Sequence, residues 1–65
     1  MKANKLIGLI AERGLSQAKV ARAIGIRPET FYRKIKTGVF GTDEVQKMIL
    51  LLHIDDPVDI FLDQR

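Results

Sequence analysis

The side chains of this sequence best suited to binding chemistry are its lysines and arginines, which are distributed unevenly. Residues 1–40 carry nine lysines and arginines against two glutamates, a net charge of +7. Residues 41–65 carry two against six carboxylates, a net charge of −4. Such an asymmetry favours one face held toward a polyanion and another turned away from it. The alternative is that these side chains only solvate helix surfaces.

Few residues suit catalysis or metal binding. The sequence has no cysteine and one histidine, His53, whose place at a predicted helix end suits a partner for the helix dipole. The later aspartates are spaced for a helix cap and a solvated face rather than a calcium loop. They are Asp55, Asp56, Asp59 and Asp63. We therefore expect no enzyme, no cofactor, no metal ion and no small-molecule ligand.

Length and composition favour one small domain spanning residues 1–65. The chain is 46% hydrophobic, too apolar for a disordered tail. The longest apolar run, residues 48–52, is far below the ~20 residues that a membrane span needs. The absence of cysteine suits a reducing compartment. We expect a cytoplasmic protein with no membrane contact.

Local signals predict an all-α chain of five short helices, since no run alternates with the period of a strand. Apolar residues at helical spacing predict a first helix over residues 3–13. Ser16 is the expected N-cap of the second helix, and Pro28 suits the first position of the third. Each of these helices is followed by a glycine that can adopt a left-handed conformation. These glycines are Gly14, Gly25 and Gly38.

The last two helices have similar start signals. Thr42 is the expected N-cap of the fourth helix, with two acidic residues in its first turn and His53 in its last. Asp56 and Pro57 form a cap and a first helical position for a fifth helix over residues 57–63. Both helices are apolar enough to serve mainly in packing.

The most informative segment is residues 16–38, two short helices joined by a tight turn. Close approach of the two helices needs a small residue, and Ala21 occupies that position. The turn needs a residue that tolerates positive φ, which Gly25 supplies. Ile26 can fill the turn, and Phe31 can anchor the second helix. These features predict a helix-turn-helix, although any helical hairpin shares some of them.

The spacing of this segment resembles the lambda-repressor-like, Cro-type helix-turn-helix family, and the resemblance covers nearly the whole chain. The matching positions are Gln17, Val20, Ala21, Ile24, Gly25, Ile26, Phe31 and Ile35. The resemblance implies a compact five-helix domain, of bacterial or phage origin, that binds a palindromic operator as a dimer and represses transcription. Two features depart from the family. Arg27 replaces the usual Ser or Thr cap, and the second anchor, Ile35, comes four residues after Phe31.

A recognition helix places its N-terminal turns against base edges in the major groove. The residues that helical spacing turns outward there, with the residue that precedes the helix, are the predicted base contacts. They are Arg27, Pro28, Glu29, Tyr32 and Arg33. Arg33 is the leading candidate because a guanidinium can bond guanine O6 and N7 together. Glu29 could accept from cytosine N4 or only stabilise the helix dipole, and Tyr32 could instead pack partly against the core.

Affinity is expected to come from contacts to the phosphates of double-stranded DNA. Gln17 resembles the family's phosphate-binding glutamine, at the start of the motif's first helix. The other candidates are Lys19, Lys34, Lys36, Thr37 and Gly38. Lys19 and Lys34 could equally be ordinary solvated residues.

The fifth helix suggests a contact between two copies of the chain. Val58, Phe61 and Leu62 are more apolar than a short terminal helix needs, so they are predicted to form a two-fold homodimer contact. They could instead only close the core of one chain. The rival function is a protein-interaction module on the same scaffold, an antirepressor or an antitoxin, because a fold does not settle a function.

Overall fold

The computed structural model describes residues 1–62, which form five α-helices and no strand. In chain order they are α1 (Ala3–Glu12), α2 (Gln17–Ala23), α3 (Pro28–Thr37), α4 (Thr42–Leu52) and α5 (Pro57–Phe61). The all-α prediction is confirmed. None of these helices is long and apolar enough to cross a membrane.

Two predicted N-caps form hydrogen bonds at the starts of their helices. The Ser16 hydroxyl accepts from the backbone N–H of Lys19 at 3.1 Å and begins α2. The Asp56 carboxylate accepts from the N–H of Asp59 at 3.2 Å and begins α5. Each bond satisfies an amide that has no partner within its own helix.

The predicted cap at Thr42 is wrong by one residue. Thr42 is the first residue of α4, and the N-cap is Gly41. The Glu44 carboxylate reaches back and accepts the N–H of Gly41 at 2.8 Å. A glutamate at the third helical position is long enough to satisfy this amide, so α4 begins without a hydroxyl cap.

The C-terminal ends of three helices also differ from the prediction. Helix α1 ends at Glu12, and Arg13 is its C-cap. The Arg13 guanidinium donates to the carbonyl of Leu52 at 2.8 Å, so it stabilises the end of α4 instead of α1. His53 lies beyond the last turn as the C-cap of α4. Helix α5 ends at Phe61, and residue 63 of the predicted helix lies outside the described residues.

His53 is the one non-glycine residue with positive φ in residues 1–62, at φ 53°. A side chain in the left-handed region costs about 1–2 kcal/mol, and the extra freedom of an unfolded glycine offsets about 0.5–1 kcal/mol of that cost. We therefore expect His53→Gly to raise the free energy of unfolding by about 0.5–1 kcal/mol. Urea unfolding followed by circular dichroism measures it. Gly14→Ala, at φ 74°, is the matched control and should lower stability; a loss of stability in both variants would contradict the explanation.

One hydrophobic core receives side chains from all five helices. Its largest fully buried side chains are Phe31, Leu6, Ile10, Met48, Leu52 and Val20. No buried side-chain nitrogen or oxygen among the described residues lacks a hydrogen-bond partner. Phe31 attaches one side of α3 to this core, and the opposite side of that helix lies in solvent.

The start of the chain and α1 are bonded to α5. The backbone N–H of Lys2 donates to the carbonyl of Ile60 at 2.8 Å, and the Lys2 ammonium pairs with Asp59 at 2.9 Å. Lys5 pairs with the same carboxylate. Hydrogen bonds from the Lys5 and Lys2 ammonium groups hold the pKa of Asp59 below its ordinary value. The cations of α1 and its flanks are thus engaged within the molecule.

Candidate nucleic-acid interface

Helices α2 and α3 form the most closely packed helix pair of the chain. Ala21 and Phe31 are both fully buried, as their predicted roles at the helix crossing require. Between the helices, Gly25 adopts φ 87°, and the N–H of Ile26 donates to the carbonyl of Ala21 at 2.9 Å. Ile26 packs against the core. The turn therefore has the small residue, the left-handed glycine and the apolar plug that were predicted.

Helix α3 has one buried side and one solvent side. Phe31 is buried and Ile35 is half-buried against the core, four residues apart. Arg27 precedes the helix in an extended conformation, and its side chain forms no capping bond. The exposed residues from this position to the end of α3 are Arg27, Glu29, Tyr32, Arg33, Lys36 and Thr37, and Pro28 is half-buried. The structure thus brings four of the five predicted base contacts to the surface. Tyr32 is 49% exposed, so it is not a core side chain.

The predicted phosphate contacts lie at the start of α2 and at the end of α3. Lys19, Lys36 and Thr37 are exposed, whereas Gln17 and Gly38 are half-buried. Gln17 is the first residue of α2, next to the Ser16 cap. Gly38 ends α3 in the left-handed conformation, and its N–H donates to the carbonyl of Lys34 at 2.8 Å.

Lys34 stands apart from the other predicted phosphate contacts. Its ammonium lies 2.8 Å and 2.7 Å from the two carboxylate oxygens of Glu44, and its side chain is only 27% exposed. The hydrogen bond from Lys34 holds the pKa of Glu44 below its ordinary value. Lys34 is therefore neither a solvated lysine nor a free cation; its charge is engaged between α3 and α4.

The remaining cations of residues 16–38 have no carboxylate partner among residues 1–62. Within the part of the chain that the structure describes, ion pairs engage Lys2, Lys5, Arg13 and Lys34. The unpaired cations of this segment are Lys19, Arg22, Arg27, Arg33 and Lys36. Glu29 is the only carboxylate that the segment itself contains. Five exposed charges of one sign on two adjacent helices make a surface that attracts a polyanion.

Arg22, which belongs to this surface, and Lys47, which lies beside the turn, were not among the predicted contacts. Arg22 is exposed and lies three residues after Lys19, a spacing that places both on one side of α2 and could have revealed it. Lys47 lies on α4, with its ammonium 4.0 Å from the position that a Cβ would occupy at Gly25. Local spacing could not reveal Lys47, because the packing of α4 beside the turn brings it there.

A separate apolar groove of about 430 Å³ lies between the α3–α4 loop, α4 and α5. The predicted dimer residues Val58, Phe61 and Leu62 all line it. Val58 is 60% exposed and Leu62 is 61% exposed, whereas Phe61 packs partly against the core. The structure therefore gathers the three residues on one surface, with two of them largely in solvent.

The described residues contain no cluster of His, Cys, Asp and Glu side chains able to hold a metal ion. The arrangement is thus one of charge and hydrogen-bond donors, suited to binding an anionic surface. No family model matches the chain, and neither the curated proteins nor the solved structures contain a significant match to it.

Proposed function

We propose that this chain is a sequence-specific regulator of transcription that binds double-stranded DNA. In this proposal α2 and α3 are a lambda-repressor-like helix-turn-helix, and α3 is a recognition helix that enters the major groove. The protein is a small Cro-like repressor that binds a palindromic operator as a homodimer. A repressor of this kind needs no cofactor, because the amount of protein sets the occupancy of its operator.

The observation that carries the proposal is the set of unpaired cations on α2 and α3. A cation inside an ion pair must break that pair before it can bind a phosphate, whereas an unpaired, exposed cation displaces only counterions. The cations of α1 and its flanks are paired, and those beside the solvent side of α3 are not. This difference supports DNA binding over the view that the basic residues serve only solubility.

The chemistry of each exposed side chain on α2 and α3 assigns it to a base or to a phosphate. Arg33 reads a guanine, because its planar fork can donate to O6 and N7 together. Glu29 accepts from a cytosine N4, and Arg27 and Tyr32 contact the neighbouring bases or phosphates. Lys19 and Lys36 bind phosphates and fix the register of the helix in the groove. Lys34 is left out of this set because Glu44 holds it.

We assign the apolar groove to the contact between two copies of the chain. Val58 and Leu62 lie one turn apart beside the groove that they help to line. Two-fold symmetry pairs the same surface on both copies, so that the side chains of each α5 can fill the groove of the other. The two recognition helices of such a dimer read half-sites whose centres lie roughly 34 Å apart.

Val58→Asp is expected to weaken the dimer at least about tenfold, because an unpaired carboxylate would be buried in the contact. Sedimentation velocity over a range of concentrations measures this. The control is Leu50→Asp, which alters an apolar residue that is 78% exposed and outside the groove. A wild-type protein that stays monomeric at high concentration, both alone and on DNA, would end the dimer assignment.

Selection of bound duplexes from a random pool tests the function itself. The proposal predicts enrichment of a two-fold symmetric sequence with half-sites one helical turn apart. Enrichment of one unrepeated half-site would keep DNA binding and remove the dimer. A pool with no enriched sequence would instead favour the protein-interaction module, an antirepressor or an antitoxin.

A further inference from the structure

The loop between α3 and α4, residues 38–41, is held at both of its ends by one pair of residues. At its start, the carbonyl of Lys34 accepts the N–H of Gly38 at 2.8 Å and that of Val39 at 3.3 Å. At its end, the Glu44 carboxylate accepts the N–H of Gly41 at 2.8 Å. The Lys34 ammonium and the Glu44 carboxylate then join these two anchors to each other.

A third contact fixes the middle of the loop. The ring of Phe40 packs on that of Phe31, with ring centroids 5.3 Å apart and a tilt of 56°. Phe31 is the fully buried anchor of α3. The loop is therefore tied to the same side chain that sets the position of the recognition helix. Within residues 1–62, the N–H of Phe40 itself donates no hydrogen bond.

We propose that Glu44 is a positioning residue for DNA binding, because it closes the loop that carries the phosphate contacts after α3. This inference rests on the proposed function. Gly38 opens the loop with its own N–H already donated to the carbonyl of Lys34. The donors of this segment to phosphate are therefore the free N–H of Phe40 and the Thr37 hydroxyl, which has to turn away from the carbonyl of Lys34 at 3.4 Å. Glu44 itself touches no DNA; it holds the loop in the conformation that presents those donors.

The burial of the Lys34–Glu44 ion pair favours a positioning role for Glu44 over an incidental contact at the surface. The Glu44 side chain is 15% exposed and that of Lys34 is 27% exposed, so water competes less for this pair than for an exposed one. Asp43, one residue earlier, is exposed and forms no hydrogen bond or ion pair within residues 1–62. The chain thus offers two adjacent carboxylates with equal charge and different contacts.

The two carboxylates are therefore expected to have different effects on DNA affinity when each is replaced by alanine. Asp43→Ala removes a negative charge near a polyanion, so it should leave DNA affinity unchanged or raise it. Glu44→Ala removes the same charge but opens the loop. The affinity should fall about five- to tenfold at 0.1 M salt, and the slope of log K against log salt should not become shallower, because the lost donors are uncharged and the change frees the Lys34 ammonium.

The test is fluorescence anisotropy with a labelled duplex from the random-pool selection, for the wild type, Glu44→Ala and Asp43→Ala. It is run over a range of salt concentrations, below the melting transition of each variant. A merely structural role would lower the melting temperature and leave the DNA affinity of the folded protein unchanged. If Glu44→Ala does not fold, Glu44→Gln against Asp43→Asn decides, and Glu44→Gln should bind more weakly than wild type.

Each result of the titration has one meaning. Weaker binding by the folded Glu44 variant alone, with a salt slope no shallower than that of the wild type, supports the inference. Equal or tighter binding in the Glu44 variant, as in its Asp43 control, overturns it and leaves the proposed function standing. A wild-type protein that binds no duplex counts against the proposed function, and the inference fails with it.

Discussion

Replacing Phe31 with alanine is expected to remove about a third or more of the protein's free energy of unfolding. The ring is fully buried, contacts Phe40 and anchors α3 to the core. Large-to-small changes of this kind cost about 3–5 kcal/mol through lost burial and the cavity that remains. A domain of this length has a total stability of only about 3–10 kcal/mol. Urea unfolding followed by circular dichroism measures the loss.

Tyr32→Ala is the control for Phe31→Ala, because Tyr32 is the next residue along the same helix and is 49% exposed. Its cost should stay near ~0.5 kcal/mol, as for most surface positions. The Phe31 change is thus expected to lower stability, whereas the Tyr32 change is expected to act on DNA binding and to leave stability nearly unchanged. A Phe31 variant with the unfolding midpoint of wild type would show that Phe31 does not anchor α3.

Arg33→Ala is expected to have the largest effect on recognition. The variant loses a bidentate contact to guanine, which costs about 1–3 kcal/mol, or about a 5- to 150-fold loss of affinity for the selected operator. The loss should depend on sequence, because the variant no longer prefers one base pair over the other three. Competition between the operator and its three variants at that position measures this preference.

Lys19→Ala is the matched control for Arg33→Ala, since it removes one exposed positive charge from α2 instead of α3. It should weaken binding to every duplex alike and reduce the salt slope by about two units, one for each subunit of the dimer. If Arg33→Ala also weakens all sequences equally, then Arg33 is a phosphate contact and another residue reads the base pair.

The boundaries of α3 and its buried side follow from short-range rules, which is why they are predictable from sequence. Pro28 can begin a helix because its missing N–H has no intrahelical partner there. Gly38 can end it because glycine adopts the left-handed conformation without strain. Helical spacing places Phe31 and Ile35 on the side opposite Arg33. Each of these inferences needs only neighbouring residues, and the structure bears out each of them.

The ion pair between Lys34 and Glu44 could not be predicted in the same way. The two residues lie ten positions apart on different helices, and their contact depends on how α4 packs beside α3. The same holds for Arg13, whose guanidinium reaches a carbonyl 39 positions away. Local rules assign such residues to the nearest helix end or to solvent, and tertiary packing then redirects them.

The candidate site can also be predicted from the sequence only in part. Spacing indicates which residues of α3 face solvent, and four of the five predicted base contacts are exposed. Pro28 is the exception, because it begins the helix next to the turn. Spacing does not reveal Lys47, which lies beside the turn only because α4 packs next to Gly25. Which exposed side chains touch bases depends on the angle at which α3 docks, and that angle is a property of the complex.

The most direct test of the central claim is the salt dependence of binding to duplex DNA. If Lys19 and Lys36 bind phosphates in both subunits of a dimer, four phosphates are neutralised, and the slope of log K against log salt should be about −3.5 or steeper. Binding should be tight at low salt and fall sharply as salt rises. No binding to any duplex at low salt, or a slope near zero, would contradict the account that the unpaired cations of α2 and α3 form a DNA-binding surface.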